Sequence, residues 1–158
     1  MPRTVKTDES RSTIILDFQG VSGLLTVCAD RVFQSELSIS HTQYALLLII
    51  SSLESPVYES LVAEKFHRGL NTISMLVDRM VKTGLINRER SKEDRRKCIV
   101  SLTPLGNEKL TKGKKVNEKL SQRLLSVLDE NDIQDIRSLL SKLEAQAVQE
   151  LSMHPQGD

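Results

Sequence analysis

The chain has 158 residues, of which 39% are hydrophobic, 27% are charged and 3% are aromatic, and its formal net charge is +1. This length and composition supply one modest core of Leu, Ile and Val and favour long helices with few other elements. The distant cysteines Cys28 and Cys98 argue against a disulfide framework and against a zinc site, so both are expected to be free thiols.

The first two predicted helices differ in how much of their surface is apolar. The first, over 10–36, has a narrow seam that recurs every three or four residues. The seam consists of Ile14, Phe18, Val21, Leu25, Cys28 and Val32. The second, over 41–52, begins at a capping box formed by Ser40 and Gln43. Its run 45–50 is apolar all round, which predicts a central position.

Two shorter helices joined at Gly69 are predicted to form a helix-turn-helix. The turn at Ser55-Pro56 precedes the first of them, over 59–66. Its inward residues are Leu61, Val62 and Phe66, and the stripe of the second helix, over 70–83, is Ile73, Leu76, Val77 and Met80. Gly84 ends the second helix because glycine adopts a left-handed conformation without steric cost.

A charged hairpin follows that helix. Residues 85–91 and 97–103 are predicted to pair as antiparallel strands around a tip at 92–96, with Cys98, Val100 and Leu102 alternating toward the core. From Arg79 to Lys97 eight basic residues stand against three acidic ones, a net charge of +5. From Asp129 to Glu150 two basic residues stand against six acidic ones, a net charge of −4. Positive potential is therefore concentrated where a polyanion would dock.

The last two predicted helices carry further apolar stripes. Thr103 caps the first, which starts at Pro104 and runs to 128. The second is capped by Asp129 and Asp132 and ends near Leu151. The stripes are Val116, Leu120, Leu124, Val127 and Leu128, then Ile133, Ile136, Leu140, Leu143 and Ala147. One small domain does not need so much apolar seam, so a two-fold dimer is expected to bury it, the alternative being packing within one chain.

The order of these elements predicts a mainly α fold with a small β-hairpin wing. A helix with polar residues at its start fits the major groove of B-DNA, and an arginine-tipped ribbon reaches the adjacent minor groove. The fold class is thus a winged helix-turn-helix with N- and C-terminal dimerisation helices.

Four sequence blocks resemble the MarR-type (multiple antibiotic resistance regulator) family of transcriptional regulators. They are 76–80, Gly84-Leu85, 94–96 with its Asp-Arg-Arg, and 102–106 with its Leu-Thr-Pro-Leu-Gly. The resemblance implies an obligate homodimer with one recognition helix and one wing per half. The expected division is a dimerisation helix at 10–38, a DNA-binding lobe at 39–103 (helix-turn-helix 57–83, wing 85–103), and dimerisation helices at 104–151. Residues 1–9 and 152–158 are expected to be flexible tails.

Nine residues are candidates for DNA contact. They are Arg68, Asn71, Thr72, Ser74, Met75, Arg79, Arg95, Arg96 and Lys97. Short polar side chains near the start of the recognition helix can bond base edges or phosphates. Met75 stands where many family members have arginine, so a thymine methyl replaces guanine as its expected partner. Wing arginines suit the negative potential of a narrow minor groove.

Two aspartates are candidate braces for the wing. The resemblance implies that Asp78 on the recognition helix binds Arg95 or Arg96 by a charge-assisted hydrogen bond. Asp94 in the wing is the second brace. One arginine would then hold the wing and the other would read the minor groove, and the sequence leaves open which does which.

The function predicted from this pattern is sequence-specific DNA binding. A two-fold dimer would read a pseudo-palindromic operator whose half-sites lie about 10 bp apart, and would act as a repressor. The resemblance implies release by a small aromatic or phenolic effector. The alternative is a winged helix for protein contact, which would have a neutral or acidic wing.

Other classes of function find little support in the chain. No nucleophile stands with a base, no carboxylates are paired and no phosphate loop is present, so no enzyme activity is expected. His41, His67 and His154 are scattered, so no metal or cofactor is expected. Residues 1–9 lack a signal peptide's apolar segment, and the longest apolar run, 45–50, cannot span a bilayer. A soluble, cytoplasmic protein with no membrane segment is expected.

Overall fold

The computed structural model describes residues 7–153, and side chains from Thr13 onward. Within these residues six helices and two strands follow one another, which confirms the mainly helical fold with one hairpin. They are α1 Thr7–Leu37, α2 His41–Ser52, α3 Glu59–Lys65, α4 Leu70–Lys82, β1 Ile86–Arg90, β2 Cys98–Leu102, α5 Pro104–Leu124 and α6 Glu130–Met153. The chain divides into two compact units between Glu118 and Lys119.

The ends of the chain differ slightly from expectation. Helix α1 begins at Thr7 rather than Ser10, and α6 ends at Met153 rather than Leu151. Residues predicted as the inner ends of flexible tails are therefore helical. The remaining tail residues, 1–6 and 154–158, lie outside the described part of the chain, and with them His154.

Helix α2 starts where the capping box was predicted. The Ser40 hydroxyl accepts the backbone N–H of Gln43 at 3.1 Å, and the Gln43 side chain accepts the N–H of Ser40 at 2.8 Å. A residue of α1 adds a third bond, since Asp30 Oδ1 accepts the N–H of His41 at 2.8 Å. Three donors that the helix itself cannot satisfy are thus paired.

The core of the first unit surrounds α2. Leu46, Leu47 and Ile50 are buried as predicted, but Leu48 is 39% exposed, so α2 is not covered on every side. The core draws on every other element up to α5. Its further members include Phe33, Val57, Val62, Ile73, Val77, Met80, Leu85, Ile86, Val100 and Leu110.

The helix-turn-helix and hairpin are joined by backbone pairing that sequence did not predict. Tyr58 forms a β-bridge with Ile99, and the N–H of Val100 donates to the carbonyl of Val57 at 2.9 Å. The two main strands pair antiparallel, with Ile86 opposite Leu102 and Arg88 opposite Val100. The segment before α3 therefore extends the hairpin, which fixes α3 against it.

Gly84 ends α4 in the left-handed conformation that was predicted, with φ of 71°. The chain can then turn at once into β1. The base of the hairpin is also closed there, because the Thr103 hydroxyl accepts the N–H of Gly106 at 2.9 Å and donates to the carbonyl of Gly84 at 2.6 Å. Thr103 is thus the predicted cap of α5 and also a clamp on the base of the wing.

Helix α5 packs very closely on its neighbours in the first unit. A methyl group at Gly106 would collide with the carbonyl oxygen of Leu85, and one at Gly113 would lie 2.5 Å from Cδ2 of Tyr44. Lys109 reaches the end of α1, where its ammonium donates to the carbonyl of Leu37 at 2.8 Å. These contacts hold α5 against the hairpin base, the end of α1 and α2.

The second unit contains the end of α5 and all of α6. Helix α5 ends at Leu124 instead of the predicted 128, and Val127 is 84% exposed in the following turn. Asp129 and Asp132 form the predicted reciprocal cap of α6, with bonds of 2.9 and 3.1 Å. None of the described side chains of α6 is buried. Its exposed apolar side chains include Ile136, Leu139, Leu140, Leu143, Val148 and Leu151.

The described side chains of α1 as far as Val27 are equally exposed. Its exposed apolar side chains are Ile14, Ile15, Leu16, Phe18, Val21, Leu24, Leu25 and Val27. By length and composition alone the 25-residue segment Thr13–Leu37 could cross a membrane, a property that apolar helices of soluble proteins share. The membrane expectation rested only on the run 45–50, whereas among the described residues α1 is the helix whose length and composition are compatible with a membrane span.

Candidate nucleic-acid interface

The outer face of α4 presents most of the predicted recognition residues. Asn71, Thr72, Met75 and Arg79 are all exposed, and Met75 is exposed by 60%. The opposite face is anchored by the buried Ile73, Val77 and Met80, as the apolar stripe predicted. Leu76 is only half-buried, at the edge of that stripe.

A cavity of about 370 Å³ brings four of these candidates together. Arg68, Thr72, Met75 and Arg79 line it, with Thr42, Phe66, Ile73 and Leu76. Two guanidinium groups thus stand beside a thioether and other apolar groups. This chemistry suits a phosphate next to a thymine methyl.

Ser74 is placed differently from the other recognition candidates. It is half-buried, and its hydroxyl donates to the carboxylate of Glu59 at the start of α3. Glu59 itself is only 3% exposed. In this structure the Ser74 hydroxyl bonds within the lobe, whereas Asn71 and Thr72 face outward.

The partner of Asp78 corrects the predicted brace. Asp78 Oδ1 lies 2.7 Å from Nη1 of Arg88 on β1, and neither Arg95 nor Arg96 is its partner. The reason lies in strand alternation, because Arg88 is opposite the buried Val100 and so shares the inner face of the hairpin. Arg95 and Arg96 belong to the exposed tip.

Arg88 binds a second carboxylate as well. Its Nη2 lies 2.8 Å from Oε2 of Glu59, whose side chain is 4% exposed. Burial lowers the pKa of Arg88, but Glu59, then Cys98 and Asp78, raise it by more, so the net pKa lies above its ordinary value. Arg88 is therefore permanently charged, and both of its neighbouring carboxylates are on the helix-turn-helix.

Asp94 holds the wing tip through the backbone. Its carboxylate accepts the N–H of Arg96 at 3.0 Å, and its carbonyl accepts the N–H of Lys97 at 2.9 Å. The buried Ser91 hydroxyl accepts the N–H groups of Glu93 and Asp94 at 3.3 and 3.4 Å. The tip is thus a hydrogen-bonded turn, a geometry that suits the brace assigned to Asp94.

The basic side chains of the wing have different surroundings. Arg95, Arg96 and Lys97 are all exposed. The Lys97 ammonium lies 5.4 Å from the centre of the Tyr58 ring, within cation–π range. Arg90 donates to the carbonyl of Arg95 at 3.2 Å. A cleft of about 420 Å³, lined by Arg90, Ser91, Lys92 and Arg95, opens beside the tip.

Sequence reasoning missed Glu59, Arg88 and Tyr58. A signal for Glu59 was present, because it stands three residues before the inward Val62 and so shares the buried face of α3. Alternation along β1 likewise places Arg88 with Ile86, which faces the core. A carboxylate and an arginine that both face the core of one lobe predict an ion pair.

Comparisons with known proteins agree with this geometry. A model described as the MarR family matches residues 39–98. The organic hydroperoxide resistance transcriptional regulator of Bacillus subtilis (strain 168) is 32% identical over 108 residues, which cover 68% of this chain and 71% of that protein.

Solved structures share the fold along most of the chain. BldR from Sulfolobus solfataricus, a transcriptional regulator, matches with a TM-score of 0.78 and 19% identity over 90% of this chain and 99% of that one. MepR of Staphylococcus aureus, solved as a DNA complex, matches with a TM-score of 0.75 and 21% identity over 82% and 94% of the two chains. The chain belongs to the MarR family of transcriptional regulators.

Proposed function

We propose that this chain is a cytoplasmic, homodimeric repressor that binds a pseudo-palindromic operator and leaves it when a small-molecule effector binds. It acts by binding and not by catalysis. The main support for this proposal comes from the wing tip. There the exposed Arg95 and Arg96 belong to a turn that hydrogen bonds of Asp94 and Ser91 stabilise. Arginines held in this way suit a narrow minor groove, whose potential attracts guanidinium.

The recognition helix supplies the second part of the interface. In the proposal Asn71, Thr72, Met75 and Arg79 enter the major groove, with Arg68 at its edge. Their exposure supports this placement, as does the 370 Å³ cavity that Arg68, Thr72, Met75 and Arg79 line together. Ser74 contributes by orienting the helix through Glu59, because its hydroxyl already has that partner.

Dimerisation is supported by the exposed apolar surface of the terminal helices. A single chain leaves the apolar side chains from Ile14 to Val27 of α1 exposed, and those on the face of α6 as well. Removing such surface from water contributes about 25 cal/mol per Å² of apolar area, which offsets the entropy lost when two chains associate. In the proposal a second copy of the chain also covers the apolar side chains of α1, so a membrane is not required to cover them.

Repression and effector release follow from the proposed architecture. A compact dimer on a promoter blocks polymerase without a further contact surface. An effector releases it only by binding the DNA-incompatible form better than the DNA-bound form, since equal affinity shifts no population. An aromatic or phenolic compound is the proposed class, in keeping with the family resemblance.

Selection of bound duplexes from a random DNA pool tests the central proposal. We expect an inverted repeat with half-sites about 10 bp apart. Recovery of no shared sequence would leave the protein-contact alternative as the better function.

The wing is tested by the salt dependence of binding to the selected duplex. Arg95→Ala and Arg96→Ala should each weaken binding and reduce the slope of log K against log salt by about 1. Arg137→Ala on α6 removes the same charge outside the wing and should leave the slope unchanged. Slopes equal to the unmodified protein's in both wing variants would remove the wing from the mechanism.

A further inference from the structure

Glu59 occupies an unusual position for a charged residue. It opens α3, is 3% exposed, and yet carries a carboxylate. A buried carboxylate is costly unless charge or hydrogen bonds compensate it. Here compensation comes from two other elements, the Ser74 hydroxyl on α4 and the Arg88 guanidinium on β1. One carboxylate therefore connects both helices of the helix-turn-helix to the wing.

The two acidic partners of Arg88 are not equivalent. The side chain of Asp78 is 57% exposed, so solvent screens its pair with Arg88 and the pair contributes little. The side chain of Glu59 is 4% exposed, and its pair with Arg88 is correspondingly weakly screened. Arg88 is hydrogen-bonded to Asp78, but its stronger charge attraction is to Glu59, whose Oε2 has no other partner among the described residues.

We propose that Glu59 is a positioning residue for DNA recognition, which fixes the angle between α4 and the hairpin so that the recognition helix and wing tip engage one duplex together. This inference rests on the proposed function. It assigns Arg88, despite its charge, to the internal frame and not to the DNA contacts. It also assigns the Ser74 hydroxyl to that frame.

Charge makes the proposal distinguishable from a simple folding role. Glu59, Asp78 and Arg88 together carry a net charge of −1, so removing the Glu59 charge makes the lobe more positive. Non-specific binding depends on phosphate attraction and should stay equal or become tighter. Operator binding requires both elements in register and should weaken. Loss of folded protein would instead weaken both equally.

The principal variant is Glu59→Gln, which keeps an acceptor for Ser74 and removes the charge that holds Arg88. The matched control is Glu64→Gln, which removes an exposed carboxylate from the same helix. Fluorescence anisotropy would give affinities for the selected operator and for a scrambled duplex, and circular dichroism would give the folded fraction. For Glu59→Gln we expect the ratio of the two affinities to fall about tenfold. The control should keep the ratio.

An unchanged ratio, or a parallel loss of both affinities with the folded fraction, would overturn the proposal. Should Glu59→Gln fail to fold, Ser74→Ala removes only the α4 link and should lower the ratio about threefold. An unchanged ratio in that variant would equally overturn it.

A double-variant cycle tests the route through Arg88. In an Arg88→Met background, Glu59→Gln should no longer lower the ratio, because the guanidinium it holds is gone. Additive effects would show that Glu59 acts otherwise and would overturn the proposal.

Amide hydrogen exchange separates this proposal from the proposed function. Without any DNA, Glu59→Gln should increase exchange in peptides from β1 and β2 and leave α6 unchanged. If the unmodified protein shows no preference for any duplex, the proposed function fails on that result. Unchanged exchange in the hairpin would then overturn the role of Glu59 independently.

Discussion

Helix α2 is apolar all round in its centre and α6 has a single apolar stripe, and although both patterns predict covered side chains, the two helices have opposite surroundings. In α2 the residues Leu46 and Leu47 are fully buried by the same chain, whereas Leu139 of α6 is 56% exposed. Periodicity predicts that an apolar face will be covered, and it does not say by which chain. The contrast separates residues that stabilise the lobe from residues that, in the proposed dimer, hold two copies together.

The largest expected effect lies on the buried side of this comparison. Leu47→Ala should lower the free energy of unfolding by about 2–5 kcal/mol, because it leaves a cavity in the centre of the lobe. Urea denaturation followed by circular dichroism measures the loss. A loss below about 1 kcal/mol would mean that the core around α2 is looser than the structure shows.

The exposed side is tested by placing a charge on α6. Leu140→Lys should raise the dissociation constant of the proposed dimer about a hundredfold, because it buries an unpaired ammonium in the interface. Sedimentation equilibrium measures the constant. Ser141→Lys adds the same charge at the neighbouring position and should change it much less. An unaltered dimer in Leu140→Lys would exclude this face of α6 from the interface.

Alanine substitutions at a glycine of the lobe and at a glycine of α1 should change the stability of the protein in opposite directions. Gly84→Ala should destabilise the lobe by about 1–2 kcal/mol, since an L side chain is strained at φ of 71°. Gly20 lies inside α1 with open space around it among the described residues, so Gly20→Ala should stabilise that helix by up to about 1 kcal/mol. Thermal melts compare the two. Destabilisation by Gly20→Ala would point to a second helix packed closely at that position.

The smallest expected effect comes from a surface pair on α5. Lys112 lies 2.7 Å from Glu108 and, by hydrogen bonding first and charge second, lowers the pKa of that carboxyl below its ordinary value. A depressed carboxyl pKa stabilises the folded state above the ordinary value, and the gain is lost as pH falls through the depressed one. Glu108→Gln should lower the melting temperature by less than about 1 °C at neutral pH. Melts repeated near pH 3 should show no difference, and a difference there would contradict this origin.

Local signals predicted the boundaries of several elements correctly. Ser40 with Gln43, Thr103 before Pro104, and Gly84 each act within four residues of their own position, so the sequence alone contains both partners. The same holds for Asp129 and Asp132 at the start of α6. Fold class followed because these boundaries and the apolar periods agree with one another.

Interactions between segments that are distant in the chain could not be predicted from the sequence. Asp78 was assigned to the wing correctly but to the wrong arginine, because the choice depends on which face of β1 turns inward. Ser74 was predicted only as a DNA contact, since its position in α4 does not reveal Glu59 beneath it. The end of α5 at Leu124 was also missed, because its apolar stripe continues to 128 although the helix does not.

The close approach of α5 to its neighbours limits which substitutions the chain accepts. Alanine is the better helix former at both Gly106 and Gly113, by about 1 kcal/mol each. Yet one added carbon would collide with the Leu85 carbonyl at position 106 and with the Tyr44 ring at position 113. In a saturation mutagenesis library these two positions should reject every replacement, including the one that helix propensity ranks first.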